Sequence, residues 1–293
     1  MNSQRTIIRL IVLIAIIASI AAWGGIFIER GSGPYQYETI RGKVITISGE
    51  GLYRDMSADV AIQGVAQDYI TLFVAIPLLL VFLYLAHRRG IRVRLILAGL
   101  TGYFMVTYIF YMCMGMYNEF FLLYVFLASL SFFAFYLQMQ SLFAKTPSGW
   151  FSRSRPSFPG WFLIVNAIAI GLMWLVVVVP PLLDGSIFPA TLDHYTTLIV
   201  QGFDLSILLP TSFFAGWLFV KREPAGYLWA PVYLVFLSLL MLALSAKVFG
   251  MSLTGVETRP AIYIIPFTTA LAIFSAWLAL SRINEKAGEN IRL

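Results

Sequence analysis

The sequence is poor in charge, in thiols and in imidazoles. Only 12% of its residues are charged while 60% are hydrophobic, against about 25% and about 45–50% in a soluble domain. So little polar surface cannot wrap an apolar core in water, and a mean hydropathy of +0.84 agrees. Most of the chain is therefore expected to face lipid. The single Cys113 excludes an intrachain disulfide and a cysteine-rich metal site. The two histidines, His87 and His194, fall outside the apolar runs, which argues against a haem held between intramembrane imidazoles. No cofactor is expected. With one exterior histidine and no nucleophile motif, Ser-His-Asp chemistry has no basis, and an enzyme is the least favoured class.

What is present is a series of long apolar runs. At about 20 residues per bilayer crossing, eight can be threaded: 7–28, 68–86, 95–114, 120–143, 161–179, 197–220, 227–249 and 262–280. The expected fold class is all-α, a polytopic bundle of eight transmembrane helices in one membrane domain. Ser19-Ile20-Ala21 resembles a signal-peptide cleavage site, yet the run continues through Trp23 and Phe27. That exceeds a secretory h-region of about 7–15 residues, so an uncleaved anchor is expected. No internal repeat is evident residue by residue.

Between the first two runs lies the only long polar stretch, 29–67. Tyr37 to Ser48, rich in Thr, Val and Ile around Arg41-Gly42-Lys43, reads as a short β-hairpin. Ser57 is placed to cap a helix that continues into the second run. Pro77 and Pro210 lie inside the second and sixth runs, tolerable in lipid where neighbouring helices take up the freed backbone groups.

Charge distribution gives an orientation. With the N-terminus inside, fourteen of the twenty Lys and Arg are cytoplasmic: Arg5, Arg9, Arg88, Arg89, Arg92, Arg94, Lys145, Arg153, Arg155, Lys221, Arg222, Arg282, Lys286 and Arg292. Every cytoplasmic segment is basic, as the positive-inside rule requires. Both termini are therefore expected in the cytoplasm of a cell (inner) membrane. The formal net charge of +6 then serves contact with anionic headgroups and does not indicate nucleic acid.

Ionisable residues inside a membrane are expensive and mark functional sites by default. Asp204 sits about eight residues into the sixth run, roughly 12 Å deep at 1.5 Å per residue, with Gln201 one turn nearer the surface. It is read as a ligand for a cation, proton or solute, or as a static carboxylate paired with Lys247 or tyrosines. Lys247, near the outer end of the seventh run, is read mainly as an interfacial lysine whose stem snorkels to the headgroups. Asp59, Gln63 and Gln67 recur every four residues and share a helix face, with Asp68 on the next. They form either the vestibule of a site or a solvated helix start. Tyr108 and Tyr111, with Tyr103 and Thr107, line one side of the third run, and Asn118 lies in the turn after it. Together these residues suggest a polar cavity between spans two, three, six and seven, open to the outside. Exterior carboxylates including Glu119, Asp184 and Asp193 give only a weak case for a divalent cation, since their spacing fits no metal loop.

The stretch 51–72 (GLYRDMSADVAIQGVAQDYITL) with Pro77-Leu78-Leu79, Tyr117 to Tyr124, Phe203-Asp204-Leu205 with Pro210, and Pro224 to Tyr227 resembles a family of bacterial polytopic membrane proteins of unassigned activity. The resemblance implies the same topology and draws attention to Asp68 and Asp204, but implies no substrate or cofactor. Three functions remain. The first is transport of a small solute or ion through the cavity. The second is a membrane assembly or sensor component that binds a protein partner through 29–67. The third is a membrane-embedded enzyme acting on lipid or quinone.

Overall fold

The computed structural model describes residues 3–86, 90–114, 116–144 and 156–284. Of the basic residues used for orientation, Arg88, Arg89, Lys145, Arg153, Arg155, Lys286 and Arg292 lie outside them, as does His87. Among the described residues, eight helices are long and apolar enough to cross a membrane. They are α1 (Ser3–Phe27), α2 (Ala58–Ala86), α3 (Ile91–Met114), α4 (Phe121–Phe143), α5 (Phe158–Val178), α6 (Ile199–Lys221), α7 (Pro224–Leu253) and α8 (Ala261–Ser281). Each falls where an apolar run predicts one. α2 starts ten residues before the run it contains, because Ala58 to Gln67 is helical too. α7 continues four residues beyond Phe249.

The eight helices form two groups of four with the same neighbours. In α1–α4, α1 packs on α2, α2 on α3, α3 on α4 and α4 back on α1. In α5–α8 the order repeats, α5 on α6, α6 on α7, α7 on α8 and α8 on α5. The halves meet where α7 packs on both α3 and α2. Gly99 of α3 makes the first of these contacts possible: a Cβ there would lie 2.6 Å from the Cβ of Val235 and 2.7 Å from the Val232 carbonyl oxygen. α3 and α7 carry the largest buried side of the bundle, so their apolar residues are core rather than lipid-facing.

The likeness extends inside the helices. α2 contains a π-helical turn at Thr71–Ala75 and α6 one at Asp204–Leu208. Each closes on a bond from residue i to i−5, Ile76 N–H to Thr71 C=O and Leu209 N–H to Asp204 C=O. Each is followed two residues later by a proline, Pro77 or Pro210. The physical reason is shared: a proline ring clashes with the carbonyl one turn earlier, and a turn widened by one residue removes that clash.

One end of the bundle carries a cap. Strands β1 (Tyr35–Glu38) and β2 (Val44–Ile47) pair antiparallel, Tyr35 opposite Ile47 and Glu38 opposite Val44. The segment after α5 folds over the hairpin: Lys43 Nζ donates to Asp193 Oδ1 at 2.6 Å and Arg41 Nη1 to the Asp193 carbonyl at 2.9 Å. Leu52, Tyr53 and Met56 bury themselves against Ala61, and Arg54 reaches Glu119 Oε1 at 2.8 Å. Ser57 precedes α2 but forms no side-chain cap bond. Its hydroxyl instead faces the Tyr195 hydroxyl, 3.4 Å away, because the second loop competes for it.

Candidate functional site

Beneath the cap, between α2, α3, α6 and α7, lies a cavity of about 150 Å³. Met56, Val60, Phe110, Met114 and Leu240 supply apolar walls. Gln63 and Gln67 enter from α2, Thr107 and Tyr111 from α3, Asp204 from α6 and Lys247 from α7. Tyr53 of the cap closes one side.

Asp204 Oδ2 accepts a 2.8 Å hydrogen bond from Trp174 Nε1 of α5. Lys247 forms no hydrogen bond and no ion pair with a carboxylate among the described residues, although Asp68 and Asp204 both lie in electrostatic range. Its stem does not run along lipid to the headgroups. The extra turn of α7 beyond Phe249 sets Lys247 further from the helix end, and the side chain turns inward onto the cavity.

Asp68 stands one layer behind the cavity and is 1% exposed. Its Oδ2 accepts from the Tyr53 hydroxyl at 2.5 Å. The Tyr111 hydroxyl lies 3.1 Å from both Asp68 Oδ1 and the Gly64 carbonyl, and its one proton serves them alternately. Gly25 of α1 leaves room for this carboxylate; a Cβ there would strike Asp68 Oδ2. Burial, with the Asp68 charge added to it, raises the Tyr53 hydroxyl well above the usual phenol range, so Tyr53 stays a donor. Next to this group a closed ring of bonds runs from Gln67 Nε2 to Tyr103 Oη (2.6 Å), from that hydroxyl to Thr71 Oγ1 (2.9 Å), and from Thr71 back to the Gln67 carbonyl (2.9 Å). These bonds tie the two helices together and fix the geometry of the α2–α3 wall.

The other residues singled out by sequence are distributed differently. Tyr108 is fully buried behind the cavity, edge-on to Tyr111 and stacked near Tyr124, and its hydroxyl has no hydrogen-bond partner among the described residues. Asn118 caps the turn before α4, its Oδ1 accepting from Phe120 N–H at 2.9 Å. Asp59 is exposed on the cap side of α2. Gln201 faces a separate groove beside Pro189 and Thr197. Asp193 and His194 are taken up by the cap, the first by Lys43 and the second by the Asp55 carbonyl. No group of three metal-ligating side chains occurs among the described residues. In the sequence Tyr53 stands out only as part of the stretch 51–72, and Trp174 does not stand out at all. A tryptophan in mid-span, whose N–H must find an acceptor in lipid, was the available signal for the second.

No family model, no curated protein and no solved structure matches this chain.

Proposed function

We propose that the protein is a multi-pass carrier or channel-like protein for a small solute or ion, and that the cavity under the cap is its binding site. The observation that carries this reading is Lys247 and Asp204 lining one small cavity without pairing to each other. A static ion pair in an apolar wall closes to contact, because only a close and fully bonded geometry offsets desolvation. Opposite charges held apart, with Gln63 and Thr107 between apolar walls, are the arrangement of a ligand site. The ligand class that fits is a small solute presenting an anionic group to Lys247 and a donor or cation to Asp204.

Two further features support the reading. The π turn of α6 begins at Asp204 itself, and the matching turn of α2 begins three residues after Asp68. Such turns occur often at functional positions and provide a place for a helix to change register. The distribution of basic residues in the sequence supports an orientation with the helix ends opposite the cap in the cytoplasm and the cavity facing outward beneath the cap.

The test uses purified protein in liposomes, loaded in turn with small anionic, cationic and zwitterionic solutes. Lys247→Met and Asp204→Asn keep the side-chain volumes and are expected to abolish uptake of a solute that the unaltered chain moves, while abundance and melting temperature hold. Unchanged flux of every solute in both variants would sink the proposal.

A further inference from the structure

A second concavity of about 750 Å³ opens on the flank of the bundle, between the end of α1, the first half of α2 and the last turns of α7. It exists because its floor is built from small residues. Ala61, Ala66 and Gly250 leave a trough between Ile62, Val65 and Phe249. A Cβ at Gly250 would rest 3.4 Å from Ile62 Cγ2 and 3.7 Å from Ala66 Cβ, so a longer side chain there would extend into the trough. The outer rim is apolar and exposed. Tyr69 lines it, 46% exposed, and Leu253 stands 74% exposed. The trough is separate from the inner cavity, and Tyr53 alone lines both.

Its upper end is charged in a particular way. Glu29 and Arg30 follow α1 by two and three residues, at the level where a helix leaves the hydrocarbon. Glu50 is held beside them: Gly51 N–H donates to the Arg30 carbonyl at 2.8 Å, and Gly31 bridges to Glu50. None of the three forms an ion pair among the described residues. Glu119, whose charge Arg30 feels, is already bonded by Arg54. One cation and two anions thus stand over an apolar trough.

We infer that this groove binds one phospholipid with a zwitterionic, ammonium-bearing headgroup of the ethanolamine type. The phosphate lies on Arg30, the ammonium between Glu29 and Glu50, and one acyl chain fills the trough down to Tyr69. A primary ammonium donates charge-assisted hydrogen bonds to carboxylates, which a choline head cannot do. An anionic head without a cation would set its charge against two glutamates. The inference rests on the helices crossing a bilayer and is independent of what the inner cavity binds.

The full chain, purified from membranes containing equal parts of phosphatidylethanolamine, phosphatidylcholine and phosphatidylglycerol, would be examined by native mass spectrometry. The expected result is one ethanolamine lipid per chain, retained in preference to the other two. Glu29→Gln with Glu50→Gln, both at the surface and harmless to folding, should lower that preference about fivefold, the upper worth of one exposed ion pair. Gly250→Leu should remove the bound lipid, and Trp277→Ala on the far face of α8 should leave it in place. Equal retention of the three lipids, retention unchanged by Gly250→Leu, or equal loss in Trp277→Ala, which marks annular lipid only, would each overturn the assignment.

Discussion

Gly25 of α1 lies directly against the carboxylate of Asp68 on α2, so closely that a single methyl group at position 25 would overlap Asp68 Oδ2 and reach within 2.8 Å of the Tyr53 hydroxyl. The fit leaves no space for side-chain growth from either helix. It also closes the α1 side of the carboxylate, which among the described residues accepts from Tyr53 and Tyr111.

Gly25→Ala is therefore expected to destabilise the protein by about 1–3 kcal/mol, the usual cost of overpacking. Thermal unfolding in detergent measures it. Because the clash is chiefly with the Asp68 carboxylate, and secondarily with the Tyr53 hydroxyl bonded to it, Asp68→Ala in the same chain should recover part of the loss. Additive losses in the double variant would show that the two residues do not act on each other.

Trp174→Phe removes the donor to Asp204 while keeping an aromatic ring in place. A carboxylate left without its partner in an apolar wall costs about 1–3 kcal/mol. The same change in an Asp204→Leu background should cost much less, and a double-mutant cycle on melting curves gives the difference. Equal costs in the two backgrounds would mean the indole acts through packing only.

Stability should fall at alkaline pH through the cap. Tyr53 and Tyr195 are both raised above their ordinary value of 10.0, chiefly by burial. Above pH 10 the unfolded chain releases these two protons and the folded chain keeps them, so the folded state loses ground as pH rises. Below that pH the two tyrosines contribute no slope. Tyr53→Phe and Tyr195→Phe should each flatten the alkaline limb of a melting-temperature profile, and a limb identical to that of the unaltered chain would contradict the burial of that hydroxyl.

Orientation has a direct check. In a Cys113→Ala background, Ile40→Cys at the hairpin turn, where Ile40 is 90% exposed, should react with a membrane-impermeant maleimide on intact cells. Lys221→Cys at the other end of the bundle should react only after lysis. The opposite pattern would place the cap in the cytoplasm and reverse the positive-inside assignment.

How much of this was legible in the sequence depends on the range of the interaction. Apolar length fixes a helix locally, so all eight were readable, and β-branched residues around Arg41-Gly42-Lys43 marked the hairpin within two residues. Asp204 and Lys247 stood out because charge is rare in an apolar run. Their surroundings did not stand out, since Trp174 is thirty residues from Asp204 and Tyr53 fifteen from Asp68. Periodicity put Asp59, Gln63 and Gln67 on one face, yet α2 runs from water into the core along its length. Asp59 is exposed, Gln63 lines the cavity, and Gln67, at the inner wall of the same cavity, is bonded to Tyr103. The fourfold grouping of neighbours was invisible because it is a property of packing, and the apolar residues that carry it are interchangeable.

The paired widened turns have a mechanical meaning for α2 and α6. One residue added to a regular helix of 3.6 per turn would rotate all that follows by about 100°. In α2 the extra residue lies between Gln67 and Asp68 on one side and Leu79 and Leu83 on the other, and all four are buried. Because the widened turn takes up that extra residue, Leu79 and Leu83 still face inward below it while Leu80 and Tyr84 stay exposed, and deleting one residue from 71–75 would close the turn to an ordinary α-helical one without turning the lower half. Each widened turn thus works as an expansion joint, absorbing one residue while both halves of its helix keep their packing.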